Sequence, residues 1–252
     1  MRRSPAQLTM LVLMVAAVSG LSAQEAATGQ GMPEGWLMRL DRPDAGPDEV
    51  EFRVLDVGWH VTTGRAGAAI FWQPGTRADG GYTVSTTMHL FHPAEHAESF
   101  GLFFGGRSLN GVGQEYVYFL VRQTGEYLIK RRAGEETETL VEWTAHEAVP
   151  EMAPGAEAPT QYDLAAAVQG EEVAFLVNGE TVHTLPAAEL RTDGAVGVRV
   201  NHMLDVHIES LTVAGSGVPW ATETGRAARG ETGGRCLRHR RLGVTARGGE
   251  HA

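Results

Sequence analysis

Tyr116, Tyr118, Arg122, Tyr127 and Arg131 crowd one short stretch of the chain. Tyrosine rings stack on the C–H faces of sugars, and guanidinium groups donate to hydroxyls or to uronic carboxylates, so these residue types on one surface would suit a saccharide. They share a surface if Thr124-Gly125 closes a two-residue hairpin. Tyr118 then faces Arg131, Leu120 faces Ile129 and Arg122 faces Tyr127, while Val117, Phe119, Val121 and Leu128 turn to the opposite, apolar side. The same pairs would also serve as ordinary cross-strand contacts. Trp72 precedes a stretch bearing proline and glycine and is placed to line a cleft beside it; the plainer expectation makes Trp59, His60, Phe71 and Trp72 core and rim residues.

A second constellation lies near residue 200. Period two turns Val196, Val198, Val200, Val206 and Ile208 inward, and Arg199, Asn201, Asp205, His207 and Glu209 the other way. On a concave face these polar residues would line a groove, and Asp205 beside His207 would form an acid–base couple; on a convex face they are solvated. His89 joins the candidate ligand-binding set. A metal reading of His89, His92 and His96 requires the loop begun by Pro93 to curl back, because an odd spacing puts His89 and His92 on opposite faces of a continuous strand. Cys236 and His239 have no partner ligands nearby in sequence. Neither a metal nor a cofactor is expected, and no catalytic motif stands out.

The elements that must position these residues are strands. Alternating segments recur about every ten residues, separated by turns, as a sheet with one buried face requires. The spacing predicts strands over Val50 to Leu55, Gly58 to Thr62, Ala68 to Trp72, Tyr82 to Phe91, Ser99 to Phe104, Glu115 to Arg122, Gly125 to Arg132 and Thr137 to Trp143. Further strands follow over Gln161 to Val168, Glu172 to Val177, Glu180 to Leu185, Ala195 to Asn201 and Leu204 to Val213. Loops are expected at Gln73 to Gly81 and over residues 144–159. Val177-Asn178-Gly179-Glu180 is the strongest turn signal, because Asn-Gly tolerates the positive φ angles of a tight hairpin.

Arg2 and Arg3, the apolar run from Leu8 to Val18 and the small residues up to Ala23 have the order of a secretory signal peptide over residues 1–23. That run is shorter than the roughly 20 residues of a membrane-spanning helix, so a secreted or periplasmic protein with no membrane span is expected. Residues 24–48 are expected as a flexible lead-in docked at most by Trp36, residues 49–214 as one β-sandwich domain, and residues 215–252 as a disordered basic tail. The single cysteine excludes an intramolecular disulfide, leaving stability to the core. Residues 24–214 hold 12 basic and 28 acidic residues, whereas residues 215–252 hold 7 arginines and 3 glutamates. Such an acidic body excludes nucleic acid as the main partner, since phosphate binding needs clustered positive charge.

The strand order, the Val177–Glu180 hairpin and the closing Asp193 to Val200 block resemble the concanavalin A-like lectin/glucanase superfamily, laminin G-like domains included, over residues 50–213. The stretches Gly101 to Gly106 and Tyr118 to Arg122 are also similar to exported bacterial domains of unassigned role. The resemblance implies an all-β, jelly-roll antiparallel sandwich of a kind that often binds or cleaves carbohydrate. The Glu-x-Asp-x-x-Glu and Glu-x-Asp-x-Glu arrangements of the superfamily's glucanases are absent, Glu49 and Glu51 read as solvated charges, and no run supplies the clustered oxygen ligands of a calcium site. The expected function is therefore an exported, non-catalytic module for polysaccharide or glycan. The alternatives are a hydrolase or lyase of the same fold, using His89 or His207 with a tyrosine, and a protein-binding adhesion or structural domain.

Overall fold

A computed structural model describes residues 31–92 and 96–215. The expected signal peptide and nearly all of the expected basic tail lie outside the described residues. The sandwich belongs to the first of two units into which the chain divides; the second, Glu223–Ala252, is not among the described residues.

Among the described residues, fourteen strands follow one another: β1 (Leu37–Leu40), β2 (Val50–Val54), β3 (Trp59–Thr63), β4 (Ala69–Ala78), β5 (Tyr82–Phe91), β6 (Ser99–Arg107) and β7 (Glu115–Arg122), then β8 (Glu126–Ala133), β9 (Glu136–Ala145), β10 (Thr160–Gln169), β11 (Glu172–Val177), β12 (Glu180–Pro186), β13 (Gly194–Val200) and β14 (Asp205–Gly215). They form two seven-stranded antiparallel sheets, ordered β1-β4-β13-β6-β7-β8-β9 and β12-β11-β10-β5-β14-β3-β2, called here the first and second sheets. Between them lies an apolar core in which Val196, Val198 and Val200 of β13 and Val206 and Ile208 of β14 point inward as period two requires. Phe119 is fully buried there, with ring centroids 5.3 Å from Phe175 and 6.1 Å from Tyr127.

Three expectations change. Leu37–Leu40 is no free lead-in: it pairs with Ala69–Trp72 of β4, burying Met38 and Leu40 against the core. The expected loop from Gln73 is strand as far as Ala78, because β4 continues along β13 through a register shift between Ala195 and Gly197. Pro74, which cannot donate to a ladder, is accommodated in this irregular part of the pairing. Finally, the β7–β8 hairpin pairs Arg122 with Glu126 across a three-residue turn, Gln123-Thr124-Gly125, with Gly125 at φ +78°. That is one residue longer than expected, so the register slips by one and exchanges the faces of β8. The Val177–Glu180 hairpin forms as expected, with Asn178 and Gly179 at φ +50° and +85°.

Candidate functional site

The first sheet carries a second apolar layer on the face turned away from the core. Ile70 and Trp72 from β4, Phe103 from β6, Tyr116, Tyr118 and Leu120 from β7, Leu128 from β8 and Ala195 from β13 pack together there. Leu109, in the β6–β7 connection, joins this layer, and Arg39 of β1 holds the connection in place by donating Nη1 to the carbonyls of Leu109 at 2.7 Å and Gly111 at 2.6 Å. Tyr116 and Tyr118 do lie together on this face, but only 2% and 5% exposed. They are therefore part of the packed support of the face and not an open platform for stacking. Burial pushes the Tyr116 hydroxyl up to about 12, so it stays neutral.

Arg199 lies in the middle of this layer. It is the one charged residue of β13, a strand buried along its whole length. Its register partner on β6 is Gly101, which has no side chain to obstruct it. Arg199 donates Nη1 to Asp41 Oδ1 at 2.9 Å and Nη2 to Asp41 Oδ2 at 2.5 Å, reaches the Tyr116 hydroxyl at 3.3 Å and sits 5.1 Å over the Tyr118 ring. Burial alone would lower the Arg199 pKa, but Asp41 and Tyr116 carry it upward. Burial likewise opposes the Asp41 charge, which Arg199, Arg132 and Arg39 together keep ionised below the usual carboxylate range. The geometry is that of a two-pronged arginine–carboxylate pair.

Arg122 stays on this face, paired with Glu126 at 2.6 Å and lying 4.2 Å over the Trp143 ring. Tyr127 and Arg131 leave it, because the register slip turns them to the core side. Tyr127 is buried between the sheets and donates to the Val182 carbonyl at 3.0 Å. Arg131, at the end of β8, bonds to Glu138 and to the Glu189 carbonyl. Tyr116, Tyr118, Arg122, Tyr127 and Arg131 thus do not form one surface.

An open feature of this face is a cleft of about 300 Å³ between β4 and the β6–β7 connection, lined by Trp72, Pro74, Arg77, Ser108, Leu109 and Asn110, with Gly106, Gly111 and Ala195. Trp72 lines a cleft here, as its place in sequence suggests. Arg77, Ser108 and Asn110 are exposed around it and offer guanidinium, hydroxyl and amide groups beside an indole. A second cleft of about 240 Å³ opens at the same end of the sheet, where Arg107 on β6 pairs with Glu115 on β7; it is lined by Glu115, Tyr116, Val117, Arg131, Arg132, Ala133 and Arg191.

His89, Asp205 and His207 lie on the other sheet, facing away from the core, so they share no groove with Arg199 or the tyrosines. The expected Asp205–His207 couple is replaced by a pair across strands: Asp205 accepts from His60 Nε2 of β3 and, at 3.3 Å, from the Thr62 hydroxyl. Residues two apart on one strand stand about 7 Å from each other, whereas the neighbouring strand lies within reach. His207 sits between His89 and His60, with ring centroids 5.7 and 6.1 Å away, and His89 bonds to Glu209 at 2.9 Å. Among the described residues, no group of three or more His, Cys, Asp or Glu is placed to hold a metal ion. Asn201, in the turn after β13, donates to the Ser99 hydroxyl at 2.8 Å and braces that turn.

Burial, together with His89 and His60, pushes the His207 pKa down. The unfolded chain therefore takes up a proton near pH 6.5 that the folded chain resists, and stability falls as pH drops below about 6.5. The midpoint of thermal unfolding is expected to fall between pH 7 and pH 5, and to fall less in His207→Gln; an undiminished fall in that variant contradicts the assignment.

Sequence reasoning passed over Asp41, Arg39, Arg77 and Asn110. A charged residue inside the Val196 to Val200 run is a signal that a partner must exist, but nothing local points to Asp41, 158 positions away. Arg77 and Asn110 matter only because the β6–β7 connection folds back toward β4.

This arrangement of two apposed antiparallel sheets is a jelly-roll β-sandwich of concanavalin A-like fold. Among solved structures, the chain is similar to the carbohydrate binding module CBM66 from Bacillus subtilis, at 8% identity and a TM-score of 0.52, with 74% of this chain and 99% of that one covered. A protein of unknown function with a galectin-like fold, also from Bacillus subtilis, aligns at 15% identity and a TM-score of 0.47 over 71% of this chain and 89% of that one. The Emp47p carbohydrate recognition domain aligns at 11% identity and a TM-score of 0.47, covering 78% and 96%. What the chain shares with the first of these, at that identity, is the fold. No family model matches the chain, and no curated protein matches it.

Proposed function

We propose that this protein is an exported, non-catalytic carbohydrate-binding module whose binding site is the Trp72 cleft of the first sheet. The observation that carries the reading is the lining itself: the guanidinium of Arg77, the hydroxyl of Ser108 and the amide of Asn110 stand exposed around a cleft of about 300 Å³ whose floor is supported by the buried Trp72. Converging donors and acceptors there meet the hydroxyls of a sugar. Similarity in fold to a carbohydrate binding module supports the same class of ligand. Export rests on the signal-like order of residues 1–23.

The non-catalytic part of the proposal rests on position. The alternative of a lyase or hydrolase pairs His89 or His207 with a tyrosine, and the clustered tyrosines Tyr116 and Tyr118 belong to the opposite sheet. On a glycan array, the protein is expected to retain a defined subset of saccharides, and Arg77→Ala with Asn110→Ala is expected to weaken retention at least tenfold. Both residues are exposed, so folding is unaffected. Equal retention by that double variant removes the cleft from the account.

A further inference from the structure

The second cleft is rich in arginine. The chain has a formal net charge of −10, yet three of the residues lining this cleft are arginines, Arg131, Arg132 and Arg191, against one acidic residue, Glu115. Each guanidinium carries five N–H donors and no acceptor. The acceptors already engaged use fewer than half of them: Arg131 serves Glu138 and the Glu189 carbonyl, Arg132 the Gly134 carbonyl at 2.9 Å with Asp41 3.9 Å away, and Arg191 a single Glu115 oxygen at 3.3 Å. The Arg191 side chain is 61% exposed, so it is free to turn to an incoming anion.

We infer that this arginine cleft holds the acidic substituent of an anionic polysaccharide, a carboxylate or a sulfate. The inference rests on the carbohydrate-binding reading and narrows its ligand to a charged glycan. Planar guanidinium forks match the paired oxygens of either group, and Arg191 exchanges its one long contact with Glu115 for a two-pronged contact with the ligand. Glu115, which lines this cleft, opens β7 directly after the β6–β7 connection that lines the other.

The test uses the full chain and four polymers: polygalacturonate, the same polymer with its carboxyls reduced to alcohols, dextran sulfate and dextran. Binding to at least one acidic polymer is expected to be tenfold or more tighter than to its uncharged counterpart, and polygalacturonate against dextran sulfate separates carboxylate from sulfate. Arg191→Ala is expected to remove most of that preference with its thermal midpoint unchanged, and Arg191→Lys to restore part of it. Equal affinity for charged and uncharged polymers, or an Arg191→Ala variant that keeps the full preference, overturns the inference. If uncharged polymers bind as well and binding is lost in Arg77→Ala with Asn110→Ala, the carbohydrate-binding reading stands while this inference falls. Failure of both acidic polymers to bind overturns the inference, and the glycan array decides the broader reading separately.

Discussion

Replacing Asp41 with alanine is expected to destabilise the protein by about 3–5 kcal/mol, the loss typical when one member of a buried ion pair is removed and the other is left uncompensated. Arg199, 7% exposed at its side chain, would lose both of its carboxylate bonds and keep only the Tyr116 hydroxyl and the Tyr118 ring as partners. Its Nε is already buried without a partner, so the site has no spare acceptor among the described residues. Arg39 and Arg132 would add repulsion that Asp41 now offsets. In a domain of this size the thermal midpoint would fall by roughly 6–20 °C. The double variant Asp41→Ala with Arg199→Met is expected to recover much of the loss, because an apolar side chain fits the surrounding layer and leaves no charge behind. Urea unfolding of the three proteins checks this: a single variant within 1 kcal/mol of the parent, or a double variant worse than the single, contradicts the role assigned to the pair. The sign of the pH dependence follows. Asp41 is held ionised below its ordinary range, so its contribution is present above about pH 4 and is lost as pH falls through its lowered pKa.

Trp72→Ala is the second large effect, again about 3–5 kcal/mol, as for other buried large-to-small changes. Trp72 is 4% exposed and packs in the outer layer with Ile70, Phe103 and Leu109. Alanine would leave a void between β4 and the β6–β7 connection, and the connection would lose the surface that Leu109 rests on. Binding is then lost because Ser108 and Asn110 are displaced. Trp72→Phe keeps an aromatic support for Leu109, so both stability and binding are expected to fall by less than in Trp72→Ala. A Trp72→Ala protein that unfolds within 1 kcal/mol of the parent would show that the outer layer is not a cooperative part of the fold.

The two sheets were legible in sequence because their residues alternate. The valines of β13 and β14 point where period two sends them, and the Asn178-Gly179 turn announces itself by residue type. The β7–β8 hairpin was legible as a hairpin but not in register. Thr124-Gly125 reads as a two-residue turn, and the third turn residue, Gln123, carries no mark in sequence; yet that single residue decides which face Tyr127 and Arg131 occupy. β1 was hidden because four residues amid glycine, proline and acidic residues have too little alternation to stand out, and only pairing with β4 defines them. The candidate site was partly visible. Trp72 reads in sequence first as a core or rim residue and second as one that could line a cleft, and it is buried at 4% exposure while lining one; Arg77, Asn110 and Asp41 depend on long-range approach of β4, the β6–β7 connection and β1, which no local pattern encodes. The face of β7 was called correctly for Tyr116 and Tyr118, but period two cannot foresee that Leu109, tied down by Arg39, packs with them and completes their burial.

Whether the protein binds saccharide without altering it is tested most directly in one reaction vessel. The full chain is incubated with a polysaccharide panel, and bound protein, released reducing ends and unsaturated uronate absorbance are followed together. The account predicts retention on at least one polymer with no product over time, and retention at least tenfold weaker for Arg77→Ala with Asn110→Ala. Product formation, or retention untouched in that variant, contradicts it.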